Sequence, residues 1–156
     1  MEIILLAVGT LRPAFREACD DYLRRIGRYA RIRELEVREA SRAPTVEAQR
    51  EQEAERMLEK GPPGTALVAL TWQGSAWSST GLAAEVGRWQ SAARSVTLVV
   101  GGSHGLAPSL VDRAQARWSL GPLTLPHELA RVVVVEQLYR AFTILRREAY
   151  HKGRGT

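Results

Sequence analysis

"SLGPLTLPHELARVVVVEQLYRAF", residues 119–142, is the stretch whose reading decides the fold. A short strand-like run meets Gly121 and Pro122, an apolar "LTLP" follows, and from His127 the chain enters its most hydrophobic segment. Ordinary connectors are polar, so a loop of leucines, prolines and a glycine reads as a loop built to hold something. The "VVVV" at 132–135 has the composition of a strand. Its length and its apolar continuation at Leu138, Tyr139, Phe142 and Leu145 instead predict a helix over about 127–148. Four consecutive valines point in four directions around such a helix, whereas a surface helix of a monomer hides one stripe. The helix therefore lies deep or meets a partner subunit, and in so small a chain the partner is favoured.

Working outward, "MEIILLAV" reads as a buried strand ended by "GTLRP". A helix is predicted from near Pro13, a residue suited to the first helical turn, with Phe15, Cys19, Tyr22 and Ile26 at helical spacing. "RIRELEVRE" alternates like a half-buried strand, and "PTVEAQREQEAERMLEK" reads as a polar, solvated helix stopped by "GPPG" at 61–64. "TALVALT" is a third strand, buried on both faces by its continuity. "WQGSAWSS" is expected as a loop before a helix at about 80–93. "SVTLVV" makes a fourth strand ending at "GGSHGL", Ala107-Pro108 opens a short helix, and "RWSLG" supplies a fifth strand. Strands alternating with helices predict an α/β fold with a mainly parallel sheet. With no repeat, linker or internal boundary, residues 1–156 are expected to form one domain.

Composition narrows the function. Hydrophobic residues make up 45% and charged residues 25% of 156, ordinary values for a globular chain. Neither a membrane span nor a secretory signal is evident, and the lone Cys19, read as a solvated helix-face thiol without a role, fits a reducing cytoplasm. The net charge of +5 is concentrated at the end: Arg140, Arg146, Arg147, Lys152 and Arg154 face only Glu148 within residues 140–156. A basic terminus suggests a polyanion, although a chain with twenty arginines, two lysines and no asparagine also carries a compositional bias.

Ligands of open parallel sheets bind beyond the carboxyl ends of the strands. "TWQGSAW", "GGSHGL" and "GPLTLPH" are the three loops there. "GGSHG" is open to two readings, a phosphate cradle or a tight turn needing glycine flexibility. The dinucleotide fingerprint is missing after the first strand, and no Walker-type sequence occurs. Loops both glycine-rich and apolar suit a flat ring read by backbone groups, such as an adenosyl moiety. His104, His127 and His151 form no recognisable metal-ligand spacing, and no G-x-S-x-G elbow appears.

Taken together, "AVGT", "LVVGGSHGL", residues 119–142 and the terminal "YHK" resemble the ribosomal RNA large-subunit methyltransferase H family of the SPOUT class, along essentially the whole chain. The resemblance implies a homodimer with a C-terminal deep trefoil knot. It also implies transfer of a methyl group from S-adenosylmethionine to N3 of a pseudouridine in large-subunit ribosomal RNA, within an assembled ribosome. Carried over by position, the cofactor side falls on Leu70, Gly102, Gly121, Pro122, Leu123, Thr124, Leu125 and Pro126. The substrate side falls on Arg140, Tyr150, His151, Lys152 and Arg154. Two departures stand out. The family's "GGPEG" is "GGSHG" here, with Ser103 and His104 in place of proline and glutamate, and its "YHR" ending is "YHKGRGT". A lysine there is a point charge without the planar fork of a guanidinium.

N3–H of the acceptor is protonated at neutral pH, so the protein should supply a base or stabilise the anion. His151, whose residue type titrates near neutrality, is the first candidate for proton acceptor, with Tyr150 beside it. His127 is expected to cap or orient the helix start. Glu136 and Arg140, four apart, form either an ion pair or a contact across a dimer. Trp72 and Trp77 are expected to pack loop against core more than to stack on a base. The rival reading is a non-catalytic RNA- or ribosome-binding domain that keeps the fold.

Overall fold

Strand β1 (Glu2–Val8) runs through the middle of the molecule, with Ile3 through Val8 all buried. Its alternation sets up two layers. Ile3, Leu5 and Ala7 face one core, and Ile4, Leu6 and Val8 face the other. A strand apolar on both sides needs cover on both sides, which is the condition for a parallel sheet. The computed structural model describes residues 1–152.

The elements follow as α1 (Pro13–Ile26), β2 (Arg31–Val37), α2 (Val46–Lys60), β3 (Ala66–Ser75), α3 (Ser79–Ser91), β4 (Val96–Val100), α4 (Pro108–Arg113), β5 (Ala116–Trp118) and α5 (His127–Leu145). The five strands pair in the order β2-β1-β4-β3-β5, all parallel. Steps toward β2 carry α1 and α3 on one face, and steps toward β5 carry α2 and α4 on the other. All four crossovers therefore share one hand, as parallel connections do. Local signals support the boundaries. Pro13 opens α1, while the Thr45 and Ser78 hydroxyls accept from Ala48 N and Gly81 N, each at 3.0 Å.

The α/β reading and its element order hold, and four details differ. "WQGS" continues β3 instead of leaving it as a loop: the strand bulges after Leu70 and pairs again where Ser75 meets Trp118. Gly74 makes this possible, because a Cβ there would lie 2.6 Å from the backbone of Arg117 and Trp118. Helix α5 ends at Leu145, before the expected residue 148. Arg147 takes φ 56° there, Arg147 N donates to Ile144 O and Glu148 N to Thr143 O, and this Schellman motif turns the tail back. Cys19 is fully buried against Glu34, and burial first, then that carboxylate, pushes its thiol up to about 12. Helix α2 is less solvated than its composition suggested, since Gln49, Glu53, Ala54 and Met57 are all buried.

Helix α5 packs against both α1 and α3. Val134, Val135, Leu138, Ala141 and Phe142 are buried there, while Val132 and Val133 are only half-buried. Much of its apolar girth is thus absorbed within the chain.

Candidate functional site

A cleft of about 960 Å³ opens at the β3 bulge and beyond the carboxyl ends of β4 and β5, a size suited to a small-molecule ligand. Its walls are Leu70 to Trp72, Val100 to Ser103, Gly105, Leu120 to Pro126, His127 and Ala130. All eight residues assigned to the cofactor side line this one cleft. Gly105 (φ 76°) closes the first loop by donating to Gly102 O at 3.1 Å, and a Cβ on Gly101 would lie 2.5 Å from the Gly105 carbonyl carbon. In the second loop Gly121 (φ 106°) donates its N–H to Ser119 Oγ at 3.1 Å. Both loops present backbone edges to the cleft, and both need glycine to do so. Leu123 (77% exposed) stands out from the second loop, and Trp72 (81% exposed) from the β3 bulge. The expected core packing thus fails for Trp72 and holds for Trp77, which stacks on Trp118 at 6.1 Å.

Two ion-paired ties fix the start of α5. Glu128 accepts from the backbone N of Arg12 at 2.7 Å and from its Nε at 2.8 Å. The Arg12 N–H first, with its guanidinium adding to it, holds this carboxyl below the usual range. Arg131 is 1% exposed. It donates to the Val8 and Gly9 carbonyls at 3.1 and 2.9 Å and pairs with Glu34 and Glu36. Arg16 reaches the same two carboxylates from α1. Sequence reasoning missed Glu128 and Arg131, because a charged residue among valines carries no sign of the carbonyls it will meet.

A second cluster sits at the far end of α5. Glu136 Oε1 accepts from Arg140 at 3.0 and 2.6 Å and from Tyr150 Oη at 3.0 Å. The Arg140 guanidinium also lies over the Tyr150 ring at 4.7 Å. The Glu136–Arg140 ion pair within the helix therefore exists, and Tyr150 joins it. Burial first, then hydrogen bonds with Tyr22 and Glu136, raise the Tyr150 phenol above its ordinary value, and its hydroxyl donates to Glu136. His151 Nδ1 lies 3.2 Å from Arg140 Nη1. A guanidinium only donates, so the contact is a hydrogen bond in the tautomer whose Nδ1 accepts and whose hydrogen sits on Nε2. That Nε2 is buried with no partner among the described residues. Lys152 is exposed, and Arg154 lies outside the described residues.

The structure does not bring the two clusters together within one chain. Ala130 and Arg140 are ten residues apart on α5, about 15 Å along the axis at the helical rise.

Comparison with known proteins gives the class. A family model described as "Predicted SPOUT methyltransferase" matches residues 1–151. The chain is 43% identical over 153 residues to "Ribosomal RNA large subunit methyltransferase H" of an Anaeromyxobacter species, covering 97% of this chain and 100% of the relative. It is 44% identical over 155 residues to the protein of that name from Azotobacter vinelandii, with the same coverage. The fold is similar to a solved "probable methylase family protein" from Haemophilus influenzae (TM-score 0.56, 12% identity, 99% of this chain and 72% of that one). It also resembles a "Probable Methyltransferase" from Bordetella pertussis (TM-score 0.53, 17% identity, 89% and 95%). The chain belongs to the SPOUT methyltransferases, in the ribosomal RNA large subunit methyltransferase H family. No helix among the described residues is long and apolar enough to cross a membrane, and none of their side chains form a metal-binding cluster.

Proposed function

We propose that this chain transfers the methyl group of S-adenosylmethionine to N3 of a pseudouridine in large-subunit ribosomal RNA. It does so in the cytoplasm, on an assembled ribosome, as a homodimer whose C-terminal half is knotted. The observation that carries the reading is full-length similarity to proteins named for that ribosomal RNA activity, joined to a cleft whose loops are those of the resemblance. The cleft suits the cofactor. Among the described residues His127 is its one titratable side chain, so it offers little to a polyphosphate, while backbone edges and aliphatic walls suit an adenosyl ring.

When bound, the sulfonium supplies an activated methyl group, and no metal is required. The protein's part is orientation and charge. Loop 120–126 and Gly101 to Gly105 hold the donor, and well-oriented reactants can lower a barrier by ~7–11 kcal/mol. The acceptor's N3 must lose its proton, which passes to solvent water, and this places negative charge on the flanking carbonyl oxygens. His151, expected as the proton acceptor, has its Nδ1 lone pair engaged by Arg140 and carries its hydrogen on Nε2. Once the tail turns Nε2 out of its buried position, His151 donates to such an oxygen, the Arg140 charge reinforces it, and together they stabilise the N3 anion. Lys152 and Arg154 hold nearby phosphates. The separation along α5 supports a site in which the tail of one subunit serves the cleft of the other.

Incubation with ribosomes lacking the modification and methyl-labelled S-adenosylmethionine, followed by nucleoside mass spectrometry, tests the reaction. Label on N3 of one pseudouridine of the large-subunit RNA is expected. Label on another nucleoside, or none, contradicts it.

A further inference from the structure

We propose that Glu53 supplies the negative charge that makes this cleft prefer a sulfonium ligand over its neutral thioether product. The proposal rests on the S-adenosylmethionine reading above. A cationic ligand in a site partly withdrawn from water needs an anionic counterpart, and no carboxylate lines the cleft among the described residues. One lies directly behind it. Glu53, on the inward face of α2, is 2% exposed.

Its Oε2 accepts from Ala40 N at 2.9 Å and from Gln49 Nε2 at 3.1 Å. Its Oε1 has no hydrogen-bond partner among the described residues. That free oxygen lies 3.9 Å from where a Cβ on Gly102 would sit, while Val8 Cγ1 lies 3.0 Å from the same point. Gly102 itself lines the cleft, so its backbone is the layer between the carboxylate and the ligand.

The neighbouring charges are spent elsewhere. Arg50 donates to the His104 carbonyl at 2.6 Å, Arg56 to the Arg38 carbonyl at 2.7 Å, and the exposed Glu39 accepts from Ser103 at 3.1 Å. A buried carboxylate without a cation is expensive to keep. An amide would serve Ala40 equally well through its oxygen, so the internal hydrogen bonds do not call for the charge. A ligand that brings a positive sulfur to the other side of Gly102 does. The product, S-adenosylhomocysteine, lacks that charge and otherwise makes the same contacts.

Calorimetric titration of the wild type and of Glu53→Gln with S-adenosylmethionine and S-adenosylhomocysteine tests this. Glu53→Gln is expected to bind the sulfonium roughly tenfold more weakly, the scale of one unit charge acting across a loop. Its affinity for the thioether should change less than about twofold by the same reasoning. Gln49→Lys sets an ammonium beside the same carboxylate and should give the same selective loss, which keeps the test decisive if Glu53→Gln fails to fold. Equal changes for both ligands, or none for either, overturn the role of Glu53 and leave the cofactor reading intact. A folded wild type that binds neither ligand overturns both.

Discussion

The two ends of α5 are built differently. At its start, Arg131 is buried on two backbone carbonyls and two carboxylates, and Glu128 is bonded twice to Arg12. At its finish, the tail is held by the Tyr29–Glu148 hydrogen bond, the Glu136–Arg140–Tyr150 cluster and aromatic contacts, across a turn in which Arg147 occupies the left-handed region. The end beside the proposed cofactor cleft is pre-formed by interactions reaching across the sheet. The end assigned to the RNA in the proposed function rests on contacts that a bound RNA can exchange for its own. A donor site can be rigid because its ligand is small and constant. An acceptor site that must fit a large particle gains from a tail that re-pairs.

Substitutions at the two ends should therefore fail in different ways. The largest stability effect is expected for Arg131→Ala, which leaves Glu34 and Glu36 with Arg16 alone and takes the guanidinium from the Val8 and Gly9 carbonyls. A loss of about 3 kcal/mol in chemical denaturation follows from breaking a buried pair, and a loss below about 1 kcal/mol would show that the network is not what fixes the helix start. Arg140→Ala should reverse the pattern. Stability and cofactor affinity change little, while kcat falls on the order of 100-fold, the scale of one lost charge-stabilising donor. Equal damage to cofactor binding would erase the distinction between the two ends.

The pH dependence sharpens the same contrast. Glu128 has a lowered carboxyl pKa in the folded chain, so its contribution is present above the unfolded value, about 4.3, and disappears as pH falls through the folded one. Glu128→Gln should remove that part of the acid dependence, giving a flatter stability curve below about pH 4. A curve parallel to the wild type would discount the tie. The smallest effect belongs to Arg147→Gly. Relieving a left-handed arginine is expected to raise stability by about 0.5 kcal/mol, while the freer chain offsets part of the gain. A lower melting temperature would instead give the Arg147 side chain a contact of its own.

Much of this was legible in the sequence because it rests on local pattern. Continuous apolar strands and the polar helices between them were enough for the α/β sheet, and the odd composition of "GPLTLP" singled out a loop built to hold something, while the eight residues that line the cleft came from the family resemblance. What escaped depended on long-range meetings. Gly74 reads as a loop residue until β5 is known to pass 2.6 Å from its Cβ position. Cys19 reads as solvated until Glu34 and α5 cover it. Glu53 sits in a helix whose composition says surface, and only the glycine loop packed on it reveals a buried charge. Side chains that cross between layers leave no periodic trace.

The central claim is that cofactor and acceptor halves meet only between subunits, and mixed dimers test it most directly. Leu125→Arg sets a cation in the wall of the cleft, and His151→Ala removes the donor on the tail; each homodimer should be inactive in methyl transfer to ribosomes. Heterodimers carrying one of each retain one intact cleft facing one intact tail, and the account predicts that they recover up to about half of the wild-type activity. Heterodimers shown to form and yet inactive would contradict it.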